Sequence, residues 1–413
     1  MAVIEGYCDP RFQRVYDLFA ANIENGTEVG ASFFVNIEGE DVIDLWGGWH
    51  DRERTRTWGK HTIVNVFSAS KTVTSLAVLM LADRGDVDLE APVAAYWPEF
   101  AQNGKADARV KHLLSHTVGL PAWEPPFSLA EALDPEVSTA RLAEALDPEV
   151  STARLAAQAP WWQPGSRGSY HASSFGHLNA ELVRRVTGKP IGTFIADEIA
   201  SPLGADFFLG LSESRFPQVA TVYPADEEPR RPTSGSGEPL VDSADPLRVE
   251  RELSHRTRLG SFSGQKRDPL LLFNSAEWRR ATLAGSSGHA NARGLGRIMA
   301  ALSNGGKSQG VQLLSQQTID RIFEEQFHGI DAYYMKPVRW GIGYALAPLE
   351  APEKGPLPFM RPSPRTCYWY GTGGSLSIAD VERRITLTYA MNQCQTGRSS
   401  QNGVYYNAFY DSL

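Results

Sequence analysis

The sequence predicts an α/β (α+β) protein in which a discontinuous α/β lobe carries an inserted, mainly helical lobe. Strand-like runs broken by tight-turn residues lie near both ends of the chain, at 29–46 and 366–391, and helical periodicity dominates between them. With 413 residues the chain is long enough for two lobes and a large core. The expected boundaries are 1–88 with 280–413 for the α/β lobe and 89–279 for the inserted one.

Residues 10–25 read as an amphipathic helix, because Phe12, Val15, Leu18, Phe19 and Ile23 recur at helical spacing. A hairpin follows, with Val29 to Ile37, a turn at Glu38-Gly39-Glu40-Asp41, and Val42 to Trp46 closing on Gly47-Gly48. From Ser68 to about Arg84 runs a helix with Val73, Leu76, Ala77, Leu79, Met80 and Leu81 on almost every side. A helix apolar on most faces is buried, and Gly85 stands where a C′ glycine would stop it. Val110 to Pro121 reads as a short helix entering a turn. Its His112 and His116 are four apart, but Leu113 stands where H-E-x-x-H needs glutamate, so a packing role is expected over ligation.

Residues 129–141 and 142–154 are identical. Asp134-Pro135-Glu136 and Asp147-Pro148-Glu149 each read as N-cap, N1 and N2 of a helix, and Pro148 would interrupt one continuous helix. The duplication therefore predicts an extra short helix. A rigid aromatic turn from Ala159 to Gly165 precedes Tyr170 and a helix from about Ser174 to Thr187. Residues 225–270, rich in Pro, Gly, Ser, Arg and Glu, read as a long surface excursion. Helices return at Ala292 to Ser303 and Ser315 to Glu325, and Tyr344 to Pro364 reads as loop. Strands at Thr366 to Tyr370 and Ser375 to Ala379 bracket Gly371-Thr372-Gly373-Gly374. A strand from Arg384 to Met391 and a helix from Val404 to Leu413 complete the chain.

Composition excludes several classes. Hydrophobic residues at 42% and charged residues at 21% are ordinary for a globular protein, and a net charge of −8 disfavours nucleic acid or an anionic membrane as partner. Cys8, Cys367 and Cys394 form no C-x-x-C pair and leave an odd count, which describes neither a disulfide framework nor a zinc site. The first residues lack a basic n-region and an apolar h-region, and the longest strongly apolar run, Leu76 to Ala82, is too short to span a bilayer. A cytoplasmic location is the expectation.

The chemistry centres on Ser68-Ala69-Ser70-Lys71. Positions i and i+3 share a helix face, so the Ser68 oxygen and the Lys71 nitrogen can meet. Serine is a poor nucleophile without a base, and lysine can be that base if burial and a helix N-terminus lower its pKa. For an isolated S-x-x-K the favoured reading is an N-cap serine followed by a snorkelling lysine, because about one chance match is expected in a chain of this composition. A second match, Ser263-Gly264-Gln265-Lys266, lies in polar sequence without apolar periodicity. No G-x-S-x-G, Walker-type loop or dinucleotide-binding glycine pattern is present.

Three stretches stand in a recognisable order: Ser68-x-x-Lys71, Tyr170-His171-Ala172 and Trp369-Tyr370-Gly371. Leu45-Trp46-Gly47-Gly48, Asn65 to Lys71, His112 to Thr117, Pro164-Gly165 and Gly373-Gly374-Ser375 accompany them. Together these resemble the serine β-lactamase and penicillin-binding-protein superfamily, within it class C enzymes and family VIII carboxylesterases. The resemblance implies an antiparallel sheet flanked by helices. Ser68 would accept the acyl group, Lys71 would hold or take its proton, and Tyr170 would pass a proton to the leaving group. Tyr170 serves as a base only if its surroundings favour the phenolate. The oxyanion hole it implies is formed by the N–H groups of Ser68 and Thr372, the residue after Gly371, and no metal or cofactor takes part.

Two departures from the family pattern bear on substrate. Trp369 stands where β-lactamases usually carry lysine, and Ala172 where the tyrosine motif ends in asparagine. An indole in place of a cation removes a charge-assisted contact to a carboxylate and adds apolar wall. A pocket bordered by Trp369, with Trp123, Trp161 and Trp162 as further candidates, suits an uncharged acyl or aryl ester. Arg361 or Arg365 could restore a carboxylate contact. The expectation is a serine carboxylesterase; the alternatives are a class C-like β-lactamase, a D-aminopeptidase, an acyltransferase, or a binding relative of the fold.

Overall fold

The computed structural model describes residues 3–124, 148–225, 247–259, 272–395 and 400–413. Nine strands form one antiparallel sheet: β1 (Ile4–Cys8), β2 (Gly30–Ile37), β3 (Glu40–Gly48), β4 (Phe327–Asp331), β5 (Lys336–Trp340), β6 (Ala345–Leu346), β7 (Thr366–Tyr370), β8 (Leu376–Asp380) and β9 (Ile385–Met391). Their order is β1-β3-β2-β9-β8-β7-β6-β5-β4, so strands from the two ends of the chain meet where β2 pairs with β9. Both of these strands, and β8, are buried nearly throughout, because helices cover both faces of the sheet.

On one face, α1 (Gln13–Glu24) packs beside the C-terminal helix (Gln401–Tyr410), with the rings of Phe12 and Phe409 4.9 Å apart and Tyr405 set on Phe33. On the other lies the helix Ala292–Ser303. A Cβ at Gly296 would fall 2.1 Å from the Phe34 ring, so glycine permits the close approach. Ser32 Oγ accepts from Ala292 N–H at 3.0 Å and Thr388 Oγ1 donates to Ala292 O at 2.7 Å, which satisfies polar groups that the packing buries.

The expected buried helix is α2 (Ser70–Asp83), with every residue from Ser70 to Leu81 buried. A 3-10 turn, Phe67–Ala69, leads into it and carries Ser68. Its polar side chains reach main-chain oxygens across interfaces. Thr74 Oγ1 donates to Ala284 O at 2.6 Å and Ser75 Oγ to Gly343 O at 2.6 Å, while Tyr344 Oη donates to Thr72 O at 2.8 Å. α2 is thereby tied to the sheet through Gly343 and Tyr344, which lie between β5 and β6. Gly85, at φ +80°, follows its last turn as expected. α3 (Pro148–Ala157) begins at the proline of the second repeat copy, and α4 (Ser174–Thr187) packs against both α2 and α3. The first repeat copy, with its Asp134-Pro135-Glu136, and Ser263-x-x-Lys266 lie outside the described residues.

Four expectations need correction. β1, and the hairpin of β4 and β5, fall in stretches read without strands; their Gly, Pro and charged residues hide the alternation, and pairing to longer neighbours holds them in place. The excursion 225–270 contains a helix, α5 (Arg248–Leu259), at 248–259. Charged residues dominate it, which hides it in a polar stretch; Leu253 is buried, and ion pairs from Glu250 to Arg167 and from Arg256 to Glu124 hold it. The loop at 344–364 includes β6, and the closing helix begins at Gln401 and ends at Tyr410.

Glu28, in the connection between α1 and β2, is buried. Its Oε1 accepts from Tyr389 Oη at 2.5 Å and Tyr405 Oη at 3.1 Å, while Oε2 has no partner. Burial pushes its carboxyl up to about 7. The folded chain therefore keeps a proton that the unfolded chain loses above about 4.5, and this contribution to stability falls as pH rises from there to about 7. The shift corresponds to about 3 kcal/mol. Glu28→Gln, the isostere of the protonated acid, should unfold at the same temperature as the wild type at pH 4.5 and at a higher one at pH 8. Calorimetry at the two pH values checks this, and equal differences at both would refute it.

Candidate active site

Ser68 sits on a strained turn held from several sides. Phe67, the residue before it, has φ +48°, a conformation that costs a non-glycine residue of order 1–3 kcal/mol. Asn65 Oδ1 accepts from Phe67 N–H at 2.9 Å, and Ser70 Oγ donates to Phe67 O at 2.5 Å while accepting from Gly288 N–H at 3.0 Å. Ser375 Oγ, just before β8, donates to Val66 O at 2.7 Å. These bonds fix the entry to α2, and with it the direction of the Ser68 hydroxyl.

Ser68 Oγ lies 2.7 Å from Tyr170 Oη and 3.4 Å from Lys71 Nζ. The structure thus unites the three residues that the sequence singles out, although Tyr170 comes from a different segment. Lys71 Nζ also donates to Gly285 O at 2.7 Å and Ala172 O at 3.0 Å. Two carbonyls take two of its N–H groups, so the remaining position, a lone pair in the neutral amine, faces Ser68. Burial lowers Lys71 to about 7, which makes that neutral form accessible near neutral pH. Burial acts in the opposite sense on Tyr170 and raises its phenol well above the usual value. That direction disfavours the phenolate through which Tyr170 could act as a base.

The chain around Tyr170 is pinned at successive positions. Ser169 N–H donates to His116 O at 3.1 Å, Tyr170 N–H to Asp331 Oδ2 at 2.7 Å, and His171 N–H to His116 Nδ1 at 3.2 Å. His171 Nε2 accepts from Leu120 N–H at 3.1 Å, and burial pushes this imidazole down to about 3. His112 accepts from Arg109 N–H at 3.1 Å. Both expected packing histidines therefore serve as hydrogen-bond acceptors of the backbone. Rings enclose Tyr170: Tyr334 stacks on it at 5.2 Å, and Tyr333, His116 and Trp369 meet it at 5.1, 5.3 and 5.3 Å.

The loop after β7 fits directly against the Ser68 turn. A Cβ at Gly371 would fall 2.2 Å from Val66 O, so only glycine lets the two approach so closely. Thr372 opens the 3-10 turn 372–374, and Ser68 lies in the turn 67–69. First-turn N–H groups have no acceptor within their own turn.

The indoles fare differently from expectation. Trp369 is 2% exposed and stacks on Trp340 at 5.2 Å, so it backs Tyr170 from within the core instead of forming an open wall. Trp123 meets His177 edge-on at 5.0 Å, and Trp161 lies under the Arg256 guanidinium at 4.2 Å; among the described residues, neither ring meets Ser68, Lys71 or Tyr170. Trp162 meets His171 at 6.1 Å, behind the site. Half-buried Tyr333 and Tyr334 border Tyr170, half-buried Tyr370 meets Tyr334 at 6.1 Å, and Phe273 borders Phe67. Sequence reading missed the two tyrosines at 333–334 because they follow a strand it did not find. Arg361 pairs with Asp411 at 2.5 Å and Arg365 with Asp320 at 2.6 Å, so neither guanidinium is offered to a substrate carboxylate.

The Beta-lactamase family model matches residues 17–410. The protein Esterase/beta-lactamase LipL of Mycobacterium tuberculosis is 32% identical over 397 residues, which are 94% of this chain and 82% of that one. A solved family VIII carboxylesterase superposes with a TM-score of 0.82 at 34% identity, covering 100% of both chains. A penicillin-binding protein homologue from Caulobacter crescentus superposes with a TM-score of 0.80 at 31% identity, also covering 100% of both.

Neutral Lys71 can accept the Ser68 proton, whereas its ammonium cannot. Labelling of Ser68 by a fluorophosphonate should therefore rise with pH and reach half its plateau near 7. Lys71→Met should slow labelling roughly a hundredfold or more and abolish this pH dependence. A wild-type rate that is flat from pH 6 to 9 would contradict the assignment.

Proposed function

The chain belongs to the β-lactamase family, and from that membership and the surroundings of Ser68 we propose that it is a serine carboxylesterase. It acts on short-chain or aryl esters through an acyl-enzyme. The observation that carries the ester reading is the chemistry around the hydroxyl: aromatic rings and one amine. Among the described residues, Lys71 is the cation within hydrogen-bonding distance of Ser68. Trp369 stands where β-lactamases usually carry lysine, and Arg361 and Arg365 are paired elsewhere. A substrate carboxylate would lose its water there without gaining a charge-assisted partner, and an ester has no such charge to desolvate. The names of two relatives, an esterase/beta-lactamase and a family VIII carboxylesterase, agree with this reading.

In the proposed reaction, Ser68 Oγ attacks the ester carbonyl carbon while its proton moves to Lys71 Nζ. The carbonyl oxygen becomes an oxyanion that accepts from the N–H groups of Ser68 and Thr372, an arrangement worth roughly a hundredfold in rate per donor. On collapse the carbon–oxygen bond to the alcohol breaks, and the departing oxygen takes the Tyr170 phenol proton. The Lys71 ammonium then returns a proton to the phenolate. Water attacks the acyl carbon in the second half, gives up a proton to Lys71, and releases the acid as Ser68 is reprotonated. Burial suits each partner to its part, since it favours neutral amine in Lys71 and neutral phenol in Tyr170.

Mixing the enzyme with p-nitrophenyl butyrate should give a burst equal to the enzyme concentration, provided deacylation is the slower half. Mass spectrometry of the quenched protein should find butyryl on the Ser68 peptide. Ser68→Ala should lose the burst and at least about a thousandfold in turnover. Nitrocefin should be turned over far more slowly than the ester; comparable kcat/KM values would favour the β-lactamase reading, and undiminished ester turnover by Ser68→Ala would end both.

A further inference from the structure

We propose that Asp331 is the positioning residue for Tyr170, a single carboxylate that holds both the main chain of the phenol donor and the rings that clamp it. The inference deepens the acyl-transfer reading and rests on it. Asp331 ends β4 and is wholly buried. Its Oδ2 accepts from Tyr170 N–H at 2.7 Å and from the Trp340 indole N–H at 3.3 Å. Its Oδ1 accepts from the N–H groups of Tyr333 and Tyr334, each at 2.9 Å.

All four donors lead to the same side chain. Tyr170 is one of them. The Tyr334 ring stacks on the Tyr170 ring at 5.2 Å with an interplanar angle of 6°, and the Tyr333 ring meets it edge-on at 5.1 Å and 88°. Trp340 stacks on Trp369, which packs against Tyr170 at 5.3 Å. A change at Asp331 therefore loosens the backbone and two faces of the phenol together, and the quantity at stake is the 2.7 Å contact between Tyr170 Oη and Ser68 Oγ.

The chemistry of the side chain matters as well as its shape. Four N–H donors converge on two oxygens, two on each, a set that the carboxylate accepts in full once ionised. Burial pushes the Asp331 carboxyl up to about 7, and the four N–H donors oppose that rise. Asparagine has the same outline but must turn an NH2 group toward at least one of these donors, leaving a buried N–H facing another. Lys71 grips the same segment two residues on, through Ala172 O at 3.0 Å, so the short stretch from Tyr170 to Ala172 runs from a buried acid to a buried amine.

The test is a double-mutant cycle on the full chain, with kcat expressed per site titrated by a fluorophosphonate so that misfolded protein does not count. Asp331→Asn should lower kcat for p-nitrophenyl butyrate roughly 30- to 100-fold with KM changed less than threefold, as expected when a transition-state group is misplaced. In a Tyr170→Phe background the same substitution should cost less than threefold, because the group it positions is gone. Equal losses in both backgrounds, or a silent Asp331→Asn beside a damaging Tyr170→Phe, would overturn the positioning role alone. A silent Tyr170→Phe would instead overturn the acyl-transfer reading on which it rests. Should Asp331→Asn fail to fold, Trp340→Phe removes one donor and keeps a stacked ring. It should lower kcat about three- to tenfold in the wild type and leave Tyr170→Phe unaffected, and any other pattern refutes the proposal.

Discussion

Burying the amine of Lys71 is the constraint around which this molecule is arranged. An ammonium in a dry interior is expensive, and the cost is lowered here by two carbonyl oxygens and by partial loss of the proton. Both carbonyls come from outside α2. Gly285 can approach only because Gly176 of α4 has no side chain: a Cβ there would fall 2.2 Å from Gly285 N. The packing of α2 against α4 and the state of the amine are thus one arrangement seen at two scales.

The same burial works in opposite directions on neighbouring groups. It disfavours the charged form of every acid and base, so it leaves lysine unprotonated and able to accept a proton near neutral pH, and makes tyrosine a weaker acid. A site that needs a proton acceptor beside a proton donor obtains both from a single dry environment. His116 and His171 are subject to the same effect and stay neutral, which lets His116 Nδ1 and His171 Nε2 accept from backbone N–H groups. Their part is to hold the segment around Tyr170.

The site draws on strain and close contact at the join between the sheet and the helices. Phe67 adopts a positive φ, Gly371 lies against Val66, and Ser375 bonds the carbonyl of Val66. The last two tie the loop after β7 to the turn that carries Ser68. The long aromatic stack from Tyr334 through Tyr170 to Trp369 and Trp340 supplies rigidity without charge. On the proposed reading, that choice of rings over cations is what turns the site toward esters.

The sequence by itself determined the local features. The i, i+3 spacing of Ser68 and Lys71 follows from helix geometry, and the apolar residues around α2 announce that the lysine will be buried. The ordered stretches at Ser68, Tyr170 and Trp369 identify the family and the antiparallel sheet. Tertiary structure decided what depends on partners far along the chain. Tyr170 finds Ser68 across 102 residues, and Asp331 finds Tyr170 across 161. In sequence, Asp331-Ala332-Tyr333-Tyr334 is an ordinary turn, and nothing local distinguishes a hub carboxylate from a solvated one. Trp123 and Trp161 are as aromatic as Trp369, yet they pack elsewhere. Helix α5 carries too few apolar residues to be read, because ion pairs to Arg167 and Glu124 help hold it in place. Periodicity reports which residues share a face; which faces meet is settled only when the whole core packs.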